Sequence, residues 1–147
     1  GTEVVLGVVL APALGKHYYG AEGVGSILQD CDGECLLQPP LVIQGAPQDV
    51  SGLTTLVSKS HREPEMDAYL AVLSDVTEHT VGSSLKFCSV ADGSADLYPR
   101  MAPIKEWDIA AGHAVVKYAG RNVFLMGTRE EFAYNSPALV VKPFEAY

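Results

Sequence analysis

Basic residues are scarce in this chain: 10 lysines and arginines stand against 18 aspartates and glutamates, for a formal net charge of -8. Nonspecific binding to nucleic acid or to anionic lipid needs a basic footprint, so both are excluded as general partners, and any phosphate site must be local. Long apolar runs are missing as well. The most apolar stretch, Val4 to Leu14, is too short for a helical membrane span, contains Pro12, and follows no charged segment of the kind a signal peptide carries. A cytoplasmic setting is the expectation. Cysteine is sparse and odd in number: Cys31, Cys35 and Cys88. The Cys31/Cys35 spacing has no matching Cys/His pair downstream to complete a zinc site, which favours reduced structural thiols over a metal site or a disulfide. Low-complexity tracts are absent, and 48% hydrophobic with 19% charged residues describes a folded chain. With 147 residues, one ordinary domain's length, the chain can bury a substantial core. It begins at a glycine without a methionine, which fits a processed or cut chain.

The apolar residues that are present organise the chain. Val4 to Leu10 is β-branched and apolar on both faces, and Lys16 to Gly20 follows after a short Pro-containing loop, so the pair predicts a β-hairpin. Gly23 and Gly25 break the chain, and short strands are expected at Gly33 to Leu37 and Leu41 to Gln44. Pro39-Pro40 and Gly45-Ala46-Pro47 mark a linker, with a boundary between residues 45 and 52. Beyond it strands and helices alternate. Leu53 to Ser58 is a strand, and Pro64 opens a helix to about Leu73 with Met66, Tyr69, Leu70 and Leu73 at helical spacing. Ser83 is the N-cap of a helix from Ser84 to about Asp92, closed by Gly93. Ala95 to Tyr98 is a strand, Trp107 to Ala119 a helix stopped by Gly120, and Asn122 to Met126 and Ala138 to Val141 are late strands. This alternation predicts an α/β fold, a mixed sheet with flanking helices, over residues 46–147, preceded by antiparallel strands in residues 1–45.

Several short segments carry residue types suited to phosphate. Ser58-Lys59-Ser60-His61-Arg62 ends a strand with two hydroxyls, a histidine and two cations, although a solvated turn before a helix has the same composition. Gly82-Ser83-Ser84-Leu85-Lys86 offers hydroxyls and backbone N–H groups at a helix start, with Lys86 close by. A plain serine cap with a surface lysine would look alike. Arg100, after Tyr98-Pro99, can grip a phosphate bidentately or form a surface ion pair with Glu106 or Asp96. Asp108 on the next helix start is a dipole-stabilising cap or a hard oxygen ligand for Mg2+.

Taken in order, these segments, together with Phe87-Cys88 and Trp107-Asp108-Ile109-Ala110-Ala111-Gly112-His113-Ala114, closely resemble the 3'(2'),5'-bisphosphate nucleotidases of the CysQ type. Those enzymes sit within the Mg2+-dependent, lithium-sensitive inositol monophosphatase superfamily. Leu6-Gly7-Val8-Val9, Ala11-Pro12 and Tyr18-Tyr19-Gly20-Ala21 extend the resemblance over nearly the whole chain. The resemblance implies a layered inositol-monophosphatase-like fold and hydrolysis of the 3'-phosphate of 3'-phosphoadenosine 5'-phosphate to AMP and phosphate. Asp108 matches the metal aspartate of the Trp-Asp motif, and His61, Ser83, Lys86 and Arg100 match positions that hold the adenylate. A superfamily phosphatase acting on inositol monophosphate or fructose bisphosphate is the less favoured reading, since the Ser60-His61 and Gly82-to-Cys88 segments resemble the nucleotide branch.

One departure matters. The family's other metal ligands come from an upstream glutamate pair and an Asp-Pro-x-Asp-Gly-Thr motif, and neither occurs here. Gly120-Arg121 and Met126-Gly127-Thr128-Arg129 also depart from the family pattern, so no role carries over to the tail. The resemblance therefore implies the C-terminal half of such an enzyme, with residues 1 to 45 as the final strands of an incomplete N-terminal sheet. The expected partners are a small nucleotide and the absent N-terminal half. As an isolated piece, the chain is expected to be an inactive nucleotide-binding half that exposes apolar strands and forms homo-oligomers.

Overall fold

A computed structural model describes residues 1–31, 38–45, 52–58 and 63–147. The chain opens with β1 (Leu6–Ala11), a single turn of 3-10 helix at Pro12–Leu14, and then β2 (Lys16–Ala21), β3 (Gly25–Asp30) and β4 (Leu41–Ile43). These form one antiparallel sheet in the order β1-β2-β3-β4. The expected hairpin is its first half, with Val8 opposite Tyr19. The glycines at 23 and 25 do not break the structure; they turn the chain into β3, whose Ile27 lies opposite Tyr19 and Val42. The strand expected at Gly33 to Leu37 and most of the linker lie outside the described residues.

The remaining elements are β5 (Leu53–Val57), α1 (Pro64–Leu70), β6 (Val76–Thr80), α2 (Leu85–Ala91), β7 (Tyr98–Arg100), β8 (Ile104–Lys105), α3 (Glu106–Tyr118), β9 (Val123–Leu125), β10 (Val140–Val141) and β11 (Phe144–Ala146). β5 and β6 run parallel across the α1 crossover, a parallel bridge from Thr55 to Leu97 joins β5 to the β7 segment, and β7-β11-β9 continues antiparallel. The mixed sheet with flanking helices is thus as expected. Its details differ where strands are short or polar. The strand read at Ala95 to Tyr98 sits three residues later, because its main partner is the C-terminal β11, with Arg100 opposite Phe144. Pro99 has no N–H to donate, and the link to β5 is confined to the Thr55–Leu97 bridge just before it. α1 ends at Leu70, although hydrogen-bonded turns carry the apolar period on to Leu73.

Helix α3 ties the layers together. It packs across β1, β2 and β3 on one side and meets α2, β8 and β9 elsewhere. Two glycines permit the close approach. A Cβ at Gly7 would collide with the Ala111 carbonyl oxygen and lie 2.8 Å from Ala114 Cβ, while one at Gly20 would lie 2.7 Å from the Ala114 carbonyl oxygen. The main core accordingly mixes Val9, Tyr18 and Ile43 of the first sheet with Phe87, Val115, Val123 and Phe144. A small second cluster, Val57, Met66 and Leu70, seats α1. The opposite face of the first sheet is bare and apolar, with Leu6, Val8, Leu10 and Val42 all exposed.

Candidate functional site

Where β5, the start of α2, β7 and the start of α3 converge, the surface opens into a cavity of about 470 Å³. Ser83, Lys86, Arg100 and Asp108 all line it. The structure therefore brings together four of the side chains singled out in the sequence. His61 lies outside the described residues, as do Lys59, Ser60 and Arg62; Ser58, the first residue of that segment, is in the wall.

Lys86 is the second residue of α2 and only 5% exposed, so the picture of a surface lysine beside a plain cap is wrong. Phe87 and Cys88 beside it are core residues, and the seven-residue helix is pinned so that Lys86 turns under the pocket. Its Nζ lies 5.3 Å from the centre of the Tyr98 ring, a cation–π contact. Burial first, and then the charge of Arg100, pushes the Lys86 ammonium below the ordinary lysine range. Among the described residues no carboxylate pairs with it. Tyr98 itself is buried and stacks edge-on against Phe87 and Phe144, which fixes the platform under the ammonium.

Ser83 is not the N-cap. That position falls on Ser84, whose hydroxyl makes no capping bond, and Ser83 precedes it with φ of 52°. A non-glycine residue in the left-handed region is uncommon, and here it sits in the pocket wall, where such conformations concentrate. Arg100 is half-buried at the end of β7, with its Nε donating to the Ala102 carbonyl at 3.2 Å. Glu106, one of its two sequence-suggested ion-pair partners, turns away instead: both of its carboxylate oxygens accept hydrogen bonds from Asn135 and Ser136. Those bonds, the one from the Ser136 hydroxyl foremost, hold the Glu106 carboxyl below the usual carboxylate range.

Asp108 lies in the first turn of α3, exposed on the pocket rim beside Trp107. Among the described residues no group of three or more His, Cys, Asp and Glu side chains could hold a metal ion. A hard dication takes about six oxygen ligands, so Asp108 alone does not fit a complete Mg2+ site. No described helix is long and apolar enough to cross a membrane.

Two further wall residues, Trp107 and Ser58, come from the sequence motifs themselves. Trp107 stands 63% exposed at the rim with Lys105 Nζ 5.4 Å from its ring centre, and Ser58 closes the β5 side. The Glu106–Ser136 contact spans 30 residues and left no local signal in the sequence.

The chain as a whole has close parallels among known proteins. The sequence pattern of the inositol monophosphatase family matches residues 1–146. The 3'(2'),5'-bisphosphate nucleotidase CysQ of Salmonella typhimurium is 42% identical over 124 residues, 81% of this chain and 45% of that protein. The protein of the same name in Escherichia coli K12 is 40% identical over the same span. The crystal structure of CysQ from Bacteroides thetaiotaomicron superposes with a TM-score of 0.84 at 33% identity, over 97% of this chain and 57% of that one. An inositol monophosphatase of Thermotoga maritima aligns with a TM-score of 0.75 at 26% identity, over 99% of this chain and 51% of that one. The chain thus spans about half the length of the relatives it matches. From its first sheet to its C-terminal strands, this chain belongs to the inositol monophosphatase family.

Proposed function

We propose that this chain is the nucleotide-gripping half of a phosphatase that hydrolyses the 3'-phosphate of 3'-phosphoadenosine 5'-phosphate to AMP and inorganic phosphate. The buried Lys86 carries the reading. An ammonium held out of water beside Arg100, with no described carboxylate against it, is a costly arrangement that an anion entering the pocket would relieve. The Ser83 hydroxyl and the Arg100 guanidinium line the same cavity, suited to phosphate oxygens, and His61 joins them by resemblance to the family. The names borne by the nucleotidase relatives favour a nucleotide over an inositol phosphate.

Asp108 is the one metal ligand that the resemblance assigns to this chain. Mg2+ chemistry would need further oxygen ligands from protein outside it, and no step through the ion is assigned to these residues. The chain alone therefore binds AMP and turns over nothing.

Calorimetry of the 147-residue chain with AMP tests the grip. Lys86→Ala is expected to weaken binding by about tenfold or more, the scale of one charge-assisted contact. AMP heats that are absent, or unchanged by the substitution, would sink the reading. Joining the chain to the N-terminal half of a nucleotidase relative should restore Mg2+-dependent phosphate release from 3'-phosphoadenosine 5'-phosphate. Preference for inositol phosphate, or hydrolysis by the isolated chain, would contradict it.

A further inference from the structure

Glu106 opens α3 and is buried, yet its side chain serves another part of the molecule. Its Oε2 accepts the Asn135 N–H at 2.7 Å; its Oε1 accepts the Ser136 N–H at 3.0 Å and the Ser136 hydroxyl at 2.6 Å. The backbone repeats the grip. The Glu106 N–H donates to the Leu139 carbonyl at 3.2 Å, Lys105 pairs with Val140 between β8 and β10, and Lys105 Nζ donates to the Ala138 carbonyl at 3.4 Å. Asn135 and Leu139, at the two ends of the gripping loop, have φ of 61° and 51°. Asparagine adopts that region readily, whereas a leucine there is held by its surroundings rather than by preference.

The two residues after Glu106 are Trp107 and Asp108, which wall the main pocket. The N-cap of α3 is Lys105, which supplies no side-chain capping bond, so the first turn lacks the usual local device against fraying. Trp107 is largely exposed and has little packing of its own to fix it. The tail loop supplies the missing brace from outside the helix.

We propose that Glu106, through its clamp on Asn135 and Ser136, is the positioning residue for the Trp107–Asp108 wall of the pocket. What occupies the pocket rests on the nucleotide reading above; the clamp itself does not. Trp107 is the one tryptophan of the chain, so its fluorescence reports on this wall alone. In the 147-residue chain, Glu106→Ala is expected to about double the amplitude of fast Trp107 depolarisation, the signature of added sub-nanosecond freedom. The same variant should weaken AMP binding by about tenfold, as a displaced wall residue would. Ser136→Ala moves both readings the same way by less, and Ser136→Thr, which keeps the hydroxyl, restores them. Lys117→Ala removes a different tail contact, the ion pair to Glu131 near the far end of α3, and should change neither. That separates positioning from general anchoring of the tail. If Glu106→Ala does not fold, Ser136→Ala carries the measurement. Unchanged depolarisation in a folded variant overturns the proposal, as does a mobile Trp107 with unaltered AMP affinity. A wild-type chain that fails to bind AMP removes the nucleotide reading, and the depolarisation still decides the clamp.

Discussion

Two regions press on α3 from different sides by different means. The sheet of β1 to β4 meets it through bare backbone, with Gly7 and Gly20 against Ala111, Ala114 and Val115, and with one buried polar bond from the Ser26 hydroxyl to the Val115 carbonyl at 2.6 Å. The tail from Phe132 onward meets it through functional groups. His113 Nδ1 and the Tyr134 hydroxyl are hydrogen-bonded at 2.9 Å, and Glu106 holds Ser136. The first contact is a steric fit, indifferent to solution conditions and intolerant of added volume. The second is chemical, so it responds to protonation and can be tuned one bond at a time. The pocket lies at the end of α3 where the tail, not the sheet, does the holding.

The steric contact should break first and hardest. Gly7→Val places a branched side chain where backbone atoms of Ala111 already sit, atoms that cannot swing aside. The expected loss is more than about 4 kcal/mol, enough to abolish cooperative unfolding. Val8→Ala on the same strand, whose side chain faces away from α3, should cost about 0.5 kcal/mol. Urea denaturation of the two variants checks the contrast, and comparable losses would mean that α3 does not rest on this strand as described.

Acid should then loosen the tail side. His113 is buried between Phe132 and Tyr134, with its Nε2 lacking a partner among the described residues. Burial lowers its pKa to about 4; Glu131 opposes that shift and Lys117 adds to it. The unfolded chain takes up this proton near its ordinary value of about 6.5, so below that pH the unfolded state binds more protons and stability falls. The loss accumulates between about 6.5 and about 4 and then levels off, reaching about 3 kcal/mol from a shift of that size. Glu106, held low, also gives up stability on acidification, so the measurement is a comparison: wild type against His113→Gln, unfolded by urea at pH 7 and pH 4.5. The wild type should lose more. Parallel losses would show that His113 is not the group that titrates.

The same contrast governs how much was legible in the sequence. The pocket motifs are local, since Gly82-Ser83-Ser84-Leu85-Lys86 and Trp107-Asp108 each lie within one turn of chain, and their side chains do converge. The two-residue glycine spacing at 23 and 25 hid β3, because a tight turn and a break share composition. β6 reads Val-Thr-Glu-His-Thr and is mostly exposed, so it carries no apolar alternation to find. β11 is three residues long, shorter than any period can reveal, yet it sets where β7 begins. Glu106 illustrates the general limit. Its prospect in the sequence is an ion pair with Arg100, and only the folded tail reveals Ser136 as the partner.

The smallest effect on stability is expected where the sheet meets nothing. Leu6, Val8 and Leu10 project from the face opposite α3 at 63%, 48% and 60% exposure, with Tyr19, Ile27 and Val42 on the neighbouring strands of that face. β1 is also the outer strand of its sheet, with no further strand beside it among the described residues. Replacing Val8 and Leu10 with threonine puts a good strand former at both positions and removes exposed apolar surface, so each change should alter folding stability by about 0.5 kcal/mol or less. The consequence lies in association instead. A bare apolar face beside an open strand edge favours self-association, and sedimentation velocity of the isolated chain should show oligomers at tens of micromolar, about the range where weak apolar contacts populate. The double variant should shift that distribution toward monomer while its urea midpoint stays in place. A wild-type chain that sediments as a single monomer at those concentrations would show that the face is tolerated in water. Sheet and tail would then differ only in how they grip α3, and not in what they leave uncovered.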